Sequence, residues 1–156
     1  MIMHINGDLL EIQNRFNLDV ICHQVNCMGV MGAGIASQIK NKYPEVYTNY
    51  QTMCKEFDER EELMGQIQMI KIDNGKKVCN FFSQYGYGRD GKRYTSYDAF
   101  WNCLHLLKQE IPVGSSIGLP LYMGCGYGGA DWTVIEAMIR AVLDKDYYIY
   151  IVRFNK

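Results

Sequence analysis

The chain contains no CxxC pair, no GxxxxGK[ST] stretch, no apolar run long enough to cross a membrane and almost no net charge. Each absence removes a class of function. Its six cysteines (Cys22, Cys27, Cys54, Cys79, Cys103 and Cys125) are scattered, so neither a zinc site nor a disulfide framework is expected. Reduced thiols make the cytoplasm the expected compartment. Without a complete GxxxxGK[ST] motif the common nucleoside triphosphatases are removed. Sixteen Lys+Arg against 17 Asp+Glu give a net charge of −1, so strong sequence-specific binding to nucleic acid is not expected. His4, Asn6 and Asp8 occupy the place where a signal peptide needs an apolar stretch, and no membrane partner is expected. Proline is scarce, with three residues, and no repeat or low-complexity linker divides the 156-residue chain, so one domain over residues 1–156 is expected.

What is present is 48% hydrophobic residues and 15 glycines, ordered in an alternating pattern. Met1 to Ile5 and Val20 to Val25 read as short strands. Ile35, Ile39 and Tyr43 repeat at helical spacing up to Pro44, which ends one helix and opens another carrying Val46, Tyr47, Tyr50, Met53, Cys54 and Phe57. Gln66 to Ile72 and Lys77 to Phe82 flank Asp73-Asn74-Gly75, a strong hairpin signal. Residues 83–95 read as a loop, followed by a helix face at Tyr97, Phe100, Trp101, Leu104 and Leu107. Ser116 to Leu121 is a strand, Trp132, Ile135, Ile139 and Val142 mark a helix, and Tyr147 to Val152 form a last strand. The expected fold is α/β: three α/β/α layers around a mixed central sheet, with ligands at the carboxyl ends of the strands.

Two glycine loops each follow a strand and precede a helix. Loop one runs from Asn26 to Gly34 and loop two from Gly124 to Gly129. Closely spaced glycines let main-chain N–H groups converge, and a helix N-terminus adds partial positive charge, so each loop suits an anion. Two of them at one sheet edge suit a diphosphate and need few cationic side chains. Gly124, Gly126 and Gly129 also satisfy GxGxxG, which raises a dinucleotide-dependent oxidoreductase. That reading is the weakest, because the next strand ends in Arg153 and no ribose-binding acid follows it.

Gly7-Asp8-Leu9-Leu10, His23-Gln24-Val25-Asn26, Met31-Gly32-Ala33-Gly34-Ile35-Ala36, and Leu119-Pro120 before Gly124-Cys125-Gly126 together resemble the macrodomain family. The likeness is closest to the branch with terminal ADP-ribose glycohydrolases, DNA-directed antitoxin macrodomains and yeast ADP-ribose 1″-phosphate phosphatase. The resemblance implies that ADP-ribose, free or attached to a macromolecule, is the partner and that no cofactor is needed. It assigns the adenine amino group to Asp8, with Leu9 beside it, and the distal ribose to Asn26. It assigns the phosphates to Gly32, Ala33, Gly34 and Ile35 and to Gly124, Cys125, Gly126 and Tyr127.

Two departures bear on mechanism. Glycohydrolases of this branch use a lysine just after the strand equivalent to Lys77 to Phe82, where this chain reads Ser83-Gln84, and an amide cannot form a Schiff base. Lys92 reads as a solvated loop residue. The remaining candidates for acid–base work are Asp131, equally suited to capping the next helix, and His23, a strand histidine without an evident carboxylate partner. The expected function is hydrolysis of an ADP-ribose derivative at the distal ribose by a water held there by Asn26 and Asp131 as catalytic candidates, the linkage being a phosphate monoester or an ADP-ribosyl bond. The alternative is a reader that binds ADP-ribose without turnover.

Overall fold

A computed structural model describes residues 1–154, and the last two residues of the expected 1–156 domain lie outside the described residues. The strands are β1 (Ile2–Gly7), β2 (Val20–Val25), β3 (Ile67–Lys71), β4 (Lys77–Phe82), β5 (Ser116–Pro120) and β6 (Tyr148–Phe154). The helices are α1 (Leu9–Arg15), α2 (Gly34–Lys42), α3 (Pro44–Glu56), α4 (Tyr97–Glu110) and α5 (Trp132–Leu143). The six strands form one sheet in the order β1-β6-β5-β2-β4-β3, parallel except for the antiparallel β3–β4 pair, so the sheet is mixed as the pattern predicts. At the β3–β4 tip Asn74 and Gly75 both take positive φ, 61° and 74°, the geometry that two-residue hairpins demand and Asn-Gly supplies.

Each face of the sheet has its own core. Leu9, Ile12, Ile39, Val46 and Tyr50 bring α1, α2 and α3 onto one face, and Phe100, Leu104, Leu107, Ile135 and Ile139 bring α4 and α5 onto the other. The alternation along β2 assigns its residues accordingly: Ile21 and Val25 face the first group, Val20 and Cys22 the second. The three layers follow directly from that two-sided burial.

Helix α1 is absent from the sequence-based reading, which joins two strands directly. Its seven residues are too few to show a helical period, yet Leu9, Leu10, Ile12 and Gln13 are buried and Asp8 caps it by accepting the Leu10 N–H at 2.9 Å. The last strand also runs two residues further than its apolar run suggests, to Phe154.

Strands β2 and β5 pair over only two registers, Val20 with Ile117 and Ile21 with Gly118. The chain leaves β2 toward helices on one face and leaves β5 toward α5 on the other. The strand order reverses there, and that is where an open α/β sheet has a crevice at its carboxyl edge.

Candidate functional site

A cleft of about 840 Å³ opens at this crevice, within the range of small-molecule sites. Its walls come from the ends of β1, β2, β5 and β6, from loop one with the start of α2, from loop two, and from residues 84–89.

The first wall presents the bare N-terminus of α2. Helices α1, α4 and α5 are capped by Asp8, Ser96 and Asp131, but the Ala33 N-cap of α2 makes no side-chain bond and its first turn holds no acid. The unpaired N–H groups and the positive end of the dipole therefore stay uncompensated, and Ala33, Gly34 and Ile35 line the cleft. Asn26 shapes the loop in front of them. Its Oδ1 accepts from the Met28 N–H at 2.9 Å and the Tyr50 hydroxyl at 2.7 Å, and its Nδ2 donates to the Val30 carbonyl at 2.8 Å. One Nδ2 proton remains for the cleft that Asn26 lines. Buried Tyr50, stacked on Phe82 at 5.8 Å, ties this loop to the core.

The opposite wall is loop two. Cys125 donates its N–H to the Tyr122 carbonyl and Ala130 to Gly124, whereas the N–H groups of Gly126, Tyr127 and Gly128 have no partner among the described residues. Gly128 sits so tightly that a Cβ would lie 2.5 Å from the Gly124 carbonyl oxygen and 2.6 Å from Thr95 Oγ1. Its own carbonyl accepts from Tyr94 and Thr95, which stitches loop two to the end of the 83–95 loop.

Between the walls runs a chain of amides. Gln24 Oε1 accepts from Ser83 Oγ at 2.6 Å, and Gln24 Nε2 donates to Gln84 Oε1 at 2.7 Å and Thr95 Oγ1 at 2.8 Å. Gln84 donates in turn to the Gly86 carbonyl, and Thr95 to the Gly124 carbonyl, both at 2.8 Å. Gln84, which stands in the stretch where the resemblance implies a lysine, is thus a fixed neutral part of the cleft lining.

Of the residues expected from the sequence, Leu9, Asn26, Gly32, Ala33, Gly34, Ile35, Gly124, Gly126 and Tyr127 line the cleft. Four others do not. Asp8 lies between the lining residues Gly7 and Leu9 with its carboxylate on the α1 N-terminus. Cys125 turns its thiol toward the Met123 carbonyl, and burial pushes its pKa up to about 11, which keeps the thiol protonated at neutral pH. Asp131 accepts the Thr133 N–H at 2.9 Å at the head of α5, outside the cleft.

His23 is fully buried on the α3 side of the sheet, with Nε2 2.5 Å from Asn80 Oδ1. Asn80 donates its own Nδ2 to Gln68, so its Oδ1 is the acceptor and His23 Nε2 the donor. Burial lowers its pKa to about 4, the Asn80 bond opposing the shift.

Sequence reasoning missed Gln24, Tyr87, Arg89, Tyr122 and Phe154, all of which line the cleft. For Gln24 the signal was its place beside Asn26 at the end of β2. Nothing local marks the rest.

The fold and the cleft define an α/β protein that presents two facing sets of free main-chain N–H groups at a topological switch point. The chain belongs to the Macro domain family, whose model matches residues 22–139. It is 32% identical over 154 residues to a DNA ADP-ribosyl glycohydrolase of Mycobacterium tuberculosis, covering 96% of this chain but 42% of that protein, so it spans about two-fifths of that relative's length. It is 26% identical over 182 residues to an ADP-ribose 1″-phosphate phosphatase of Debaryomyces hansenii, covering 97% of this chain and 99% of that one. The macrodomain of Mycobacterium tuberculosis DarG superposes with a TM-score of 0.72 at 28% identity, over 97% of each chain. No helix among the described residues is long and apolar enough to cross a membrane.

Proposed function

We propose that the cleft binds ADP-ribose and that the protein hydrolyses a bond at the distal ribose, releasing phosphate or a formerly ADP-ribosylated group. One observation carries this reading: the uncapped α2 N-terminus and the free N–H groups of Gly126 to Gly128 line one cleft, a cradle for two linked phosphates that needs no lysine. The names of the two relatives, a glycohydrolase and a phosphatase of ADP-ribose derivatives, support the ligand. The adenosine end is assigned to Gly7, Leu9, Val152 and Phe154, with Asp8 beside them, and the distal ribose to Asn26 and Tyr127.

Among the described residues, no carboxylate, imidazole or lysine lines the cleft. The chain's contribution to hydrolysis is therefore positioning and electrostatics. The N–H cradle fixes the diphosphate, and the spare Asn26 N–H orients the ribose or the attacking water. The substrate's own phosphate oxygens are left to take the proton. His23, buried and neutral, and Asp131, committed to Thr133, reach the reaction only if the cleft rearranges. The same lining favours a second reading, a reader of ADP-ribose without turnover, because Gln84 cannot supply covalent catalysis. Six unpaired thiols, five of them buried, are consistent with a reducing cytoplasm as the location.

Calorimetry with ADP-ribose, followed by incubation with ADP-ribose 1″-phosphate and with ADP-ribosylated DNA or protein, tests both halves. Saturable 1:1 binding with released product is expected. Binding without product selects the reader, and no heat at millimolar ADP-ribose overturns the cleft assignment.

A further inference from the structure

Among the described residues Arg89 is the one charged side chain lining the cleft, and nothing in the ADP-ribose reading uses it. It belongs to the 83–95 loop, which carries three cations with different surroundings. Lys92 lies 3.9 Å from Asp90, whose carboxylate also accepts from the Tyr94 hydroxyl, and the Arg93 guanidinium covers the Tyr97 ring at 4.5 Å, away from the cleft. Arg89 instead lies over the ring of Tyr127, 4.7 Å from its centroid. Arg89 has no carboxylate partner among the described residues, and both it and Tyr127 are exposed. The ring face holds the guanidinium by cation–π attraction, and no hydrogen bond or carboxylate among the described residues occupies its N–H groups.

The position of the pair gives it a purpose. Tyr127 belongs to loop two at the end assigned to the distal ribose, and Arg89 reaches it from the side of Gln84 and Tyr87. The two phosphates of ADP-ribose are satisfied by main-chain N–H groups, so a free guanidinium at this end has a further anion to meet. Its planar fork matches the oxygens of a phosphate.

We propose that Arg89, held by Tyr127, is the specificity-determining residue of the cleft and selects ligands that carry a phosphate beyond the distal ribose. The source of that phosphate is either a terminal monoester or the phosphodiester next to an ADP-ribosylated nucleotide. This inference rests on the ADP-ribose reading above.

The test is competition against a fluorescent ADP-ribose probe in the cold, comparing ADP-ribose with ADP-ribose 1″-phosphate on wild type, Arg89→Gln, Arg89→Lys and Lys92→Gln. Wild type prefers the phosphorylated ligand by roughly tenfold, the scale of one charge-assisted phosphate contact. Arg89→Gln brings the ratio near one, Arg89→Lys restores part of it, and Lys92→Gln, which removes the same charge from the same loop, keeps it. A short oligonucleotide carrying ADP-ribose, with and without the adjacent phosphodiesters, separates the sources. The inference stands if Arg89→Gln removes the preference for either phosphate. If ADP-ribose binds normally and the Arg89→Gln ratio equals that of wild type for both, Arg89 is not the selector. If wild type does not bind ADP-ribose at all, the underlying reading falls and takes this inference with it.

Discussion

Acid should destabilise this protein through a single imidazole. His23 has a pKa of about 4 in the fold against 6.5 when exposed, because burial disfavours the cation more than the Asn80 bond favours it. In the unfolded chain the ring takes a proton as pH falls through 6.5, whereas the folded chain refuses it until about 4. The stability contributed by keeping the ring neutral is therefore whole above pH 6.5, falls steadily below it and levels off near pH 4. A gap of that size is worth ~3 kcal/mol at about 1.4 kcal/mol per pKa unit. The His23→Gln variant keeps an N–H able to reach Asn80 Oδ1 but cannot titrate. Urea unfolding of both proteins at half-unit steps from pH 7.5 to 4 gives two curves of unfolding free energy against pH. Carboxylate contributions are common to both and cancel in the difference, which should change by ~3 kcal/mol over the window, wild type losing more. A difference that stays flat would refute the burial argument. A difference that changes around pH 6.5 alone, with no slope below it, would mean that the ring opens to solvent before it titrates.

Gly128→Ala should cost about 1–3 kcal/mol and weaken ADP-ribose binding together, since the new methyl group meets the Gly124 carbonyl at 2.5 Å; a wild-type melting temperature with unchanged calorimetry would contradict the packing of loop two. Gln24→Leu strips partners from Ser83, Gln84 and Thr95 at once. A loss of about 1–3 kcal/mol is expected in urea, and none would show that water replaces the network. Asp131→Asn keeps an acceptor for the Thr133 N–H, while Asp131→Ala removes it at a cost of about 1 kcal/mol. Turnover, where present, should be unchanged in Asp131→Asn, and a large loss with normal ADP-ribose affinity would return Asp131 to the reaction. Phe154→Ala should weaken ADP-ribose and AMP by similar factors, because it removes a cleft wall at the adenosine end; loss for ADP-ribose alone would place adenine elsewhere.

Local chemistry was legible wherever a few neighbouring residues decide the backbone. Pro44 divides α2 from α3 as its ring requires, and Asn74-Gly75 turns β3 into β4 because both positions need positive φ. The two glycine loops likewise stand after strands and before helices in the chain itself. Helix α1 was not legible, since seven residues fall below the length at which periodicity separates helix from turn, and its stability comes from burying Leu9, Leu10 and Ile12 against the sheet.

The sequence by itself determined the α/β class, the two anion loops, the absence of a lysine after β4 and the family resemblance, all of which are written in contiguous stretches of chain. Only the tertiary structure decided which side chains share the cleft. Gln24, Gln84 and Thr95 are brought into one network by the pairing of β2 with β4 and by the Gln84–Thr95 bridge, contacts 60 and 71 residues apart along the chain. It also decided which candidates stay outside: alternation on β2 sends His23 into the α3-side core while Gln24 lines the cleft, and the start of α5 commits the Asp131 carboxylate to a backbone N–H. Residue type sets what a side chain can do, but the sheet's pairing and the direction of each strand set where it does it.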